Sequence, residues 1–165
     1  MKQALIPIIL TATGLAASAA PVDAGHLEHR GNPHRIEVTH GRFETLPHDA
    51  DGVHYEVKGG AIMFRIADTT AVFVAVSGLA PNTTYPTHVH NQPCSSTPPG
   101  GGHYQNTVLG PVDATNEMWP VVTTDDRGRG TGSAFHAFRA RPEAQSVVIH
   151  YPANTSVRLA CVDLS

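Results

Sequence analysis

The residues best suited to chemistry are four histidines in the middle and near the end of the chain. His88 and His90 are two positions apart, so both imidazoles project from one face if this segment is a strand. His103 follows a loop rich in Pro and Gly that can fold back across that strand, and His150 ends an apolar run. Imidazoles on a rigid strand suit copper, zinc or non-haem iron. A single histidine at a strand end is more often structural, so at this point the four are candidate ligands.

Two cysteines, Cys94 and Cys161, lie close in sequence to these candidates. Cys94 is four residues after His90, and Cys161 is three residues after Arg158. A disulfide between them would close a span of 67 residues and stabilise the fold by roughly 4 kcal/mol. It would also bring Arg158 beside the histidines. The alternative is a pair of free buried thiols, which is uncommon in an exported chain.

Residues 1–19 are predicted to be a signal peptide. A lysine near the start precedes an apolar run from Ala4 to Ala17, and Ala17-Ser18-Ala19 matches the small-x-small pattern of a cleavage site. The run is too short to span a bilayer stably. We therefore expect a secreted protein, extracellular or periplasmic, with no membrane contact after cleavage. A disulfide persists in either compartment.

Residues 20–35 show no apolar periodicity and are predicted to form a flexible arm. Its three histidines, His26, His29 and His34, could bind a metal loosely or have no specific role. The chain of 165 residues has a formal charge of −3 and no cluster of Lys or Arg, which argues against a nucleic-acid partner. The sequence leaves the oligomeric state open, with a monomer favoured.

Residues 36–165 are predicted to form one all-β domain. Short runs rich in β-branched and aromatic residues alternate with turn signals such as Asp51-Gly52 and Gly59-Gly60. This spacing is typical of a β-sandwich or β-barrel with about eight strands. The predicted strands are 35–43, 60–66, 71–76, 85–90, 119–124, 132–139, 146–150 and 157–162.

Together, the motifs resemble those of the copper/zinc superoxide dismutase family in type and in order. The matching segments are Gly78-Leu79, Thr87-His88-Val89-His90, Cys94, Gly101-Gly102-His103-Tyr104, Ser146-Val147-Val148-Ile149-His150 and Arg158-Leu159-Ala160-Cys161. The resemblance covers roughly residues 36–165. It implies a Greek-key β-barrel or sandwich of about eight antiparallel strands, the immunoglobulin-like superoxide dismutase fold.

The same resemblance implies roles for individual residues. It implies a copper site whose four ligands are all histidines: His88, His90, His103 and His150. It implies that Cys94 and Cys161 form a disulfide. It also implies that Arg158 attracts and orients the superoxide anion.

The sequence departs from the two-metal family where zinc would bind. No histidine occurs between Tyr104 and Phe135, and Met118 lies roughly where the family has its zinc aspartate. Neither Asp113 nor Glu117 alone can complete a closed zinc site, which needs about four ligands. We therefore expect no zinc.

A second departure is the short connection between His150 and Arg158, which has only seven residues. The charged loop that covers copper in the family is therefore absent. Both losses resemble the copper-only extracellular superoxide dismutases, with one copper per chain. The implied activity is dismutation of superoxide to O₂ and H₂O₂, with His103 as the proton donor. Without zinc, a hydrogen-bond acceptor must orient His103, and Glu117 is the first candidate and Asp113 the second.

Other functions stay open at this point. A secreted copper-binding or copper-carrying protein with little dismutase activity would keep the histidines but would not need Arg158. A structural or interaction domain would need neither. A zinc-dependent hydrolase is disfavoured because no carboxylate lies at general-base spacing beside His88 and His90.

The remaining polar motifs have simpler interpretations. The histidines outside the motifs show no partner pattern, and we expect no metal role for them: His40, His48, His54 and His136. Asn82 and Asn154 begin glycosylation sequons, which matter only in a eukaryotic secretory pathway.

Overall fold

A computed structural model describes residues 36–165, which form β-strands joined by turns and loops. The expected signal peptide, residues 1–19, and the expected arm, residues 20–35, lie outside the described residues. The strands are β1 (Ile36–Arg42), β2 (Glu44–Thr45), β3 (Lys58–Ile66), β4 (Thr69–Ser77), β5 (Thr84–Tyr85), β6 (Thr87–His90), β7 (Val122–Thr124), β8 (Gly130–His136), β9 (Ser146–Tyr151) and β10 (Asn154–Asp163). None of residues 36–165 belongs to a helix of the length and hydrophobicity that spans a bilayer.

The strands form two antiparallel sheets. The larger sheet has six strands in the order β1-β3-β4-β8-β7-β5, and the smaller has four in the order β2-β10-β9-β6. Both sheets keep open edges and do not close into a barrel. The predicted all-β class with antiparallel strands is therefore confirmed, and the arrangement is that of a β-sandwich.

Apolar side chains from both sheets form one core. Along β4, Val72 and Val74 point into this core while Phe73 between them points outward, which is the period-two alternation of a half-buried strand. On β9, Val147 and Ile149 belong to the same core. The core therefore anchors β9 and its partner β6, the two strands that carry three of the four candidate histidines.

The segment 85–90, predicted as one strand, is two strands in different sheets. β5 pairs with β7, whereas β6 pairs with β9. Pro86 separates them because it has no N–H to continue a ladder, and its carbonyl accepts a hydrogen bond from the His150 N–H at 2.8 Å. Strand β2 was not predicted, since its two residues are too few to show an alternating pattern.

The disulfide between Cys94 and Cys161 is present, so the predicted pairing is confirmed and the alternative of two free thiols is wrong. The two Cα atoms are 5.8 Å apart. The Cys94 N–H also donates to the Asp163 carboxylate at 2.7 Å. These contacts attach the loop that follows β6 to β10, and Arg158 lies on that same strand.

Candidate metal centre

The four candidate histidines form one cluster. One ring nitrogen from each lies within 4.8 Å of those of the other three. His88 and His90 are on β6, and His150 is on β9. His103 is in the loop after β6. This arrangement can hold a metal ion.

The ladder between β6 and β9 positions three of these side chains. β6 pairs residue by residue with β9 over its whole length. Val89 is buried in the core, so the neighbouring side chains of His88 and His90 leave the opposite face of the strand. His150 lies at the end of the same ladder. Three ligands are therefore held by backbone hydrogen bonds.

A loop that folds back along β6 brings in His103, which makes an isolated antiparallel bridge with His90. Gly100 and Gly101 in this loop have φ angles of 83° and 67°, in the left-handed region that favours glycine. A Cβ atom on Gly100 would lie 2.8 Å from Cγ2 of Val148 on β9. The loop therefore passes too close to the strand for a larger residue.

Hydrogen bonds determine which nitrogens of His90 and His150 are available to a metal. Nδ1 of His90 lies 3.3 Å from the Gly101 carbonyl oxygen, and Nδ1 of His150 lies 2.6 Å from the Thr155 carbonyl oxygen. A carbonyl oxygen can only accept, so both Nδ1 atoms carry the hydrogen. The two Nε2 atoms are then bare and lie 3.2 Å apart. Two lone pairs at this distance repel each other, and a bound cation would relieve the repulsion.

The other two rings also present one bare nitrogen each. His103 Nδ1 donates to Oε2 of Glu117 at 2.7 Å, which leaves its Nε2 available. Nδ1 of His88 is buried and has no hydrogen-bond partner, although buried polar atoms are nearly always paired. The donor set is therefore Nδ1 of His88 and Nε2 of the other three rings. Four converging imidazole nitrogens fit a transition-metal ion.

Burial keeps three of these rings neutral. It lowers the pKa of His90 from its ordinary value near 6.5 to about 2, that of His88 to about 3 and that of His150 to about 4. The neighbouring His103 lowers all three pKa values further. Neutral imidazole is the form that binds metals, so the site is ready for a metal ion at neutral pH.

Glu117 is buried and makes hydrogen bonds with both of its carboxylate oxygens. Oε2 accepts from Nε1 of Trp119 at 2.9 Å as well as from His103, and Oε1 accepts from Nε2 of Gln105 at 3.1 Å. The rings of Trp119 and His88 also meet edge to face, with centroids 5.7 Å apart. Sequence reasoning missed Trp119 and Gln105. The available signal was that the only tryptophan of the chain lies two residues after Glu117.

Asp113, the second candidate for orienting His103, forms a turn instead. Its Oδ1 accepts from N and Oγ1 of Thr115 and from N of Asn116, at 2.6–3.0 Å. The Asn116 side chain in turn accepts a hydrogen bond from the Thr107 N–H and donates one to the Thr107 carbonyl across the loop. The Asp113 carboxylate therefore shapes the loop that carries Glu117, and Glu117 is the acid that bonds to His103.

Arg158 lies at the edge of the cluster. It is opposite His150 in the register of β9 and β10, where the ladder is irregular. Its Nη1 donates to the Pro99 carbonyl in the loop before His103. The charge of Arg158 contributes to the lowered pKa values of His90 and His150. The guanidinium is therefore held close enough to act electrostatically on the site.

Within residues 36–165, the four histidines are the one group of three or more His, Cys, Asp or Glu side chains close enough together to hold a metal. Both ring nitrogens of His48, which lies outside this group, form hydrogen bonds with backbone atoms. Its Nδ1 donates to the Leu46 carbonyl at 2.7 Å, and its Nε2 accepts from the Tyr55 N–H at 3.3 Å. His48 therefore supports a loop between β2 and β3.

No model of a known protein family matches the chain, and no curated protein matches it. The function of this chain must therefore be inferred from the chemistry of the site itself.

Proposed function

We propose that this protein is a copper-dependent superoxide dismutase that acts outside the cytoplasm, with one copper per chain and no zinc. The observation that carries the proposal is the convergence of four bare imidazole nitrogens beside a fixed arginine. Copper would be held by Nδ1 of His88 and by Nε2 of the other three histidines. When bound, copper supplies the electron exchange that converts two superoxide anions and two protons into O₂ and H₂O₂.

An all-nitrogen donor set supports copper as the metal. Imidazole suits copper, zinc, iron and nickel, whereas oxygen ligands would favour magnesium, calcium or manganese. Among the metals that imidazole suits, copper is the one that the motif resemblance implies. The one carboxylate at the site, Glu117, hydrogen-bonds to His103 rather than joining the ring nitrogens. The other three rings lie on the ladder between β6 and β9, which keeps their positions fixed during electron exchange.

His103 is the ring best placed to hold a proton for the reduced substrate. It comes from a loop, and its side chain is 31% exposed. Because its Nδ1 is engaged by Glu117, Nε2 is the atom that would carry that proton. His103 thus combines contact with the metal cluster and access to solvent.

Glu117 acts as a positioning residue for His103. Gln105 and Trp119 hold its carboxylate from two sides, so the side chain has little freedom to rotate. A carboxylate that accepts from the far nitrogen of a ligand histidine fixes the tautomer and the ring orientation. In this proposal the buried acid does for His103 what zinc does in the two-metal family.

Arg158 would guide the anionic substrate. Its guanidinium keeps its positive charge at all relevant pH values and is tethered through the Pro99 carbonyl. A fixed positive charge beside a metal site raises the local concentration of a small anion. A protein that only stores or carries copper has no need of such a charge.

The disulfide supports export. Disulfides persist in oxidising compartments and are rare in the cytosol. The Cys94–Cys161 bond agrees with the signal peptide expected at residues 1–19. Whether the compartment is extracellular or periplasmic depends on the host.

The test loads the purified protein with copper, with zinc and with both, then measures bound metal and superoxide consumption. We expect one copper, no specific zinc and fast activity that His88→Ala abolishes. Arg158→Ala should lower the rate at least about tenfold at low ionic strength. Arg127→Ala removes an exposed arginine in the turn between β7 and β8 and should leave the rate unchanged.

Two results would contradict the proposal. Bound copper with activity no higher than that of free copper, and insensitive to Arg158→Ala, would indicate a copper-binding or copper-carrying protein. A requirement for stoichiometric zinc would mean that residues 104–124 contain zinc ligands after all.

A further inference from the structure

The outward face of the six-stranded sheet carries large apolar side chains on four adjacent strands. We define the outer apolar face by six residues on β1, β3, β4 and β8: Ile36, Val38, Phe64, Ile66, Phe73 and Phe135. Phe135 is 68% exposed and Ile36 is 64% exposed. The strand register makes the face continuous, because Ile36 lies opposite Ile66, and Val38 lies opposite Phe64.

Such a face is unusual for a sheet exposed to water. Antiparallel sheets with one solvated face normally carry polar residues at the outward positions. Here three phenylalanines instead contact one another in series, with ring centroids 6.2 Å apart for Phe64 and Phe73 and 5.3 Å apart for Phe73 and Phe135. A contiguous exposed apolar patch of this kind marks an interaction surface.

We propose that the outer apolar face binds the same face of a second copy of this chain, forming a symmetric dimer. This differs from the monomer favoured by the sequence, where the outward orientation of these side chains could not be recognised. The inference does not depend on the proposed enzymatic activity, because the histidine cluster is carried by β6, β9 and a loop beside the other sheet.

The size of the sheet surface that contains this face suits a dimer. Four strands spaced about 4.8 Å apart span roughly 19 Å, and the three rows of outward positions that hold the six residues span roughly 20 Å along the strands. The flat footprint is therefore about 400 Å² per copy, before side-chain relief is added. Stable interfaces begin at about 600 Å² per partner, so the dimer buries the face together with the next row of outward positions, from Arg42 to Thr131, and the surrounding rim.

The shape of the face is self-complementary. Two shallow hollows flank the ridge of Phe73 and Phe135. One is floored by small residues, including Gly60, Ala75 and Gly132, and the other lies over Thr69 and Ala71. In a two-fold arrangement the ridge of each copy can enter a hollow of the other, which is the reciprocal contact that such symmetry requires.

Charge and composition favour a second copy over other occupants. None of the six defining residues is charged, so two-fold symmetry does not bring like charges together at the centre. The chain's own residues 20–35 offer only Val22 and Leu27 as large aliphatic side chains, too few to cover three phenylalanines and three aliphatic residues. A different protein partner would be detected as an outcome of the test, since the chain alone would then be monomeric.

The test measures molar mass by sedimentation equilibrium for the purified full chain from micromolar to submillimolar concentration. We expect a dimer for the wild type. Phe135→Glu should raise the dissociation constant at least about 100-fold, because symmetry buries the introduced charge twice. Ile36→Lys, at the other side of the face, should also weaken the dimer. Leu109→Glu is the matched control, since Leu109 is 95% exposed on a loop outside this face, and it should remain dimeric.

Separate control measurements check that each variant is folded and that it is active. Circular dichroism and an intact disulfide should match the wild type in each variant, and dismutase activity per chain should not change in Phe135→Glu. A wild type that is monomeric at every concentration, or a dimer that persists in both Phe135→Glu and Ile36→Lys, would overturn the proposal. Loss of activity in a chain that still dimerises would count only against the proposed enzymatic function.

Discussion

The histidine cluster has two halves that the protein holds in different ways. The strand half consists of His88, His90 and His150, which the ladder between β6 and β9 positions. The loop half consists of His103 and its partner Glu117. A single backbone bridge joins His103 to His90, and the hydrogen bond to Glu117 orients the His103 ring. His90 is fully buried, whereas the side chain of His103 is 31% exposed.

The difference separates two chemical tasks. The backbone ladder makes the three rings of the strand half rigid and burial keeps them neutral, which suits holding a metal through changes of charge. The loop half joins a ring to a buried acid and to solvent, which suits proton exchange. A site built only on strands would hold a metal equally well but would lack this route for protons.

The largest expected effect is that the copper-free protein loses stability at acid pH because of the three buried rings of the strand half. Unfolded histidines bind protons below pH 6.5, whereas the folded rings stay neutral until their pKa values of about 4, 3 and 2. The unfolded state therefore binds more protons as the pH falls, and the free energy of unfolding decreases. Each ring contributes at most about 1.4 kcal/mol per pH unit, so three rings contribute up to about 4 kcal/mol per unit between pH 6.5 and 4.

Urea denaturation of the copper-free protein at a series of pH values measures this slope. His150→Gln removes one of the three rings and should lower the slope by about one third. A free energy of unfolding that stays constant from pH 7 to pH 5 would show that the three rings are not buried in the neutral form.

The second prediction concerns the tether of the loop half. Cys94→Ala combined with Cys161→Ala should lower the free energy of unfolding by about 4 kcal/mol, because the unfolded chain regains the freedom of a 67-residue span. Urea denaturation measures the loss. Wild-type protein treated with reductant serves as the control and should show the same loss. A loss below about 1 kcal/mol would mean that the loop is held mainly by its hydrogen bonds.

Parts of this site could be predicted because residue type and spacing carried the information. His88 and His90 share a face in any strand, since side chains alternate with period two. Cys94 and Cys161 are the only cysteines, so a disulfide within the chain had a single possible pairing. The strand pattern of residues 36–165 likewise predicted an all-β domain, which the two sheets confirm.

Other parts could not be predicted for physical reasons. The carbonyls of Gly101 and Thr155, which select the free nitrogens of His90 and His150, have no sequence signature because every residue has a carbonyl. The run 71–76 is apolar at consecutive positions, so period two could not assign a face to Phe73. Only the pairing of β4 with β3 and β8 reveals that Phe73 points outward.

The third prediction tests the strand half as the metal holder. His90→Ala should weaken copper binding by about 3 kcal/mol, or roughly 100-fold, because one of four ligands is lost and four-ligand structural zinc sites bind with about 10–16 kcal/mol, or about 3 kcal/mol per ligand. Competition with a chelator of known affinity measures the change. His136→Ala alters a partly buried histidine on β8, outside the cluster, and should bind copper like the wild type. Equal affinity in both variants would place the metal elsewhere.

The smallest expected effect comes from the acid of the loop half. Glu117→Gln keeps the size of a buried side chain and removes its charge, so the orientation of His103 is less firmly fixed. Loss of such an outer partner costs roughly 10- to 100-fold in metal affinity or activity, and we expect this variant at the lower end for copper affinity and at the upper end for dismutation.

Two further measurements distinguish this role from a general loss of structure. The single tryptophan, Trp119, donates to the same carboxylate oxygen as His103, so its fluorescence should shift in Glu117→Gln. Asp113→Asn changes the other acid of the loop, which caps a turn, and should leave copper affinity, dismutation and fluorescence close to wild type. If Asp113→Asn lowered activity as much as Glu117→Gln, the loop as a whole and not its contact with His103 would set the rate, and the division between the two halves would fail.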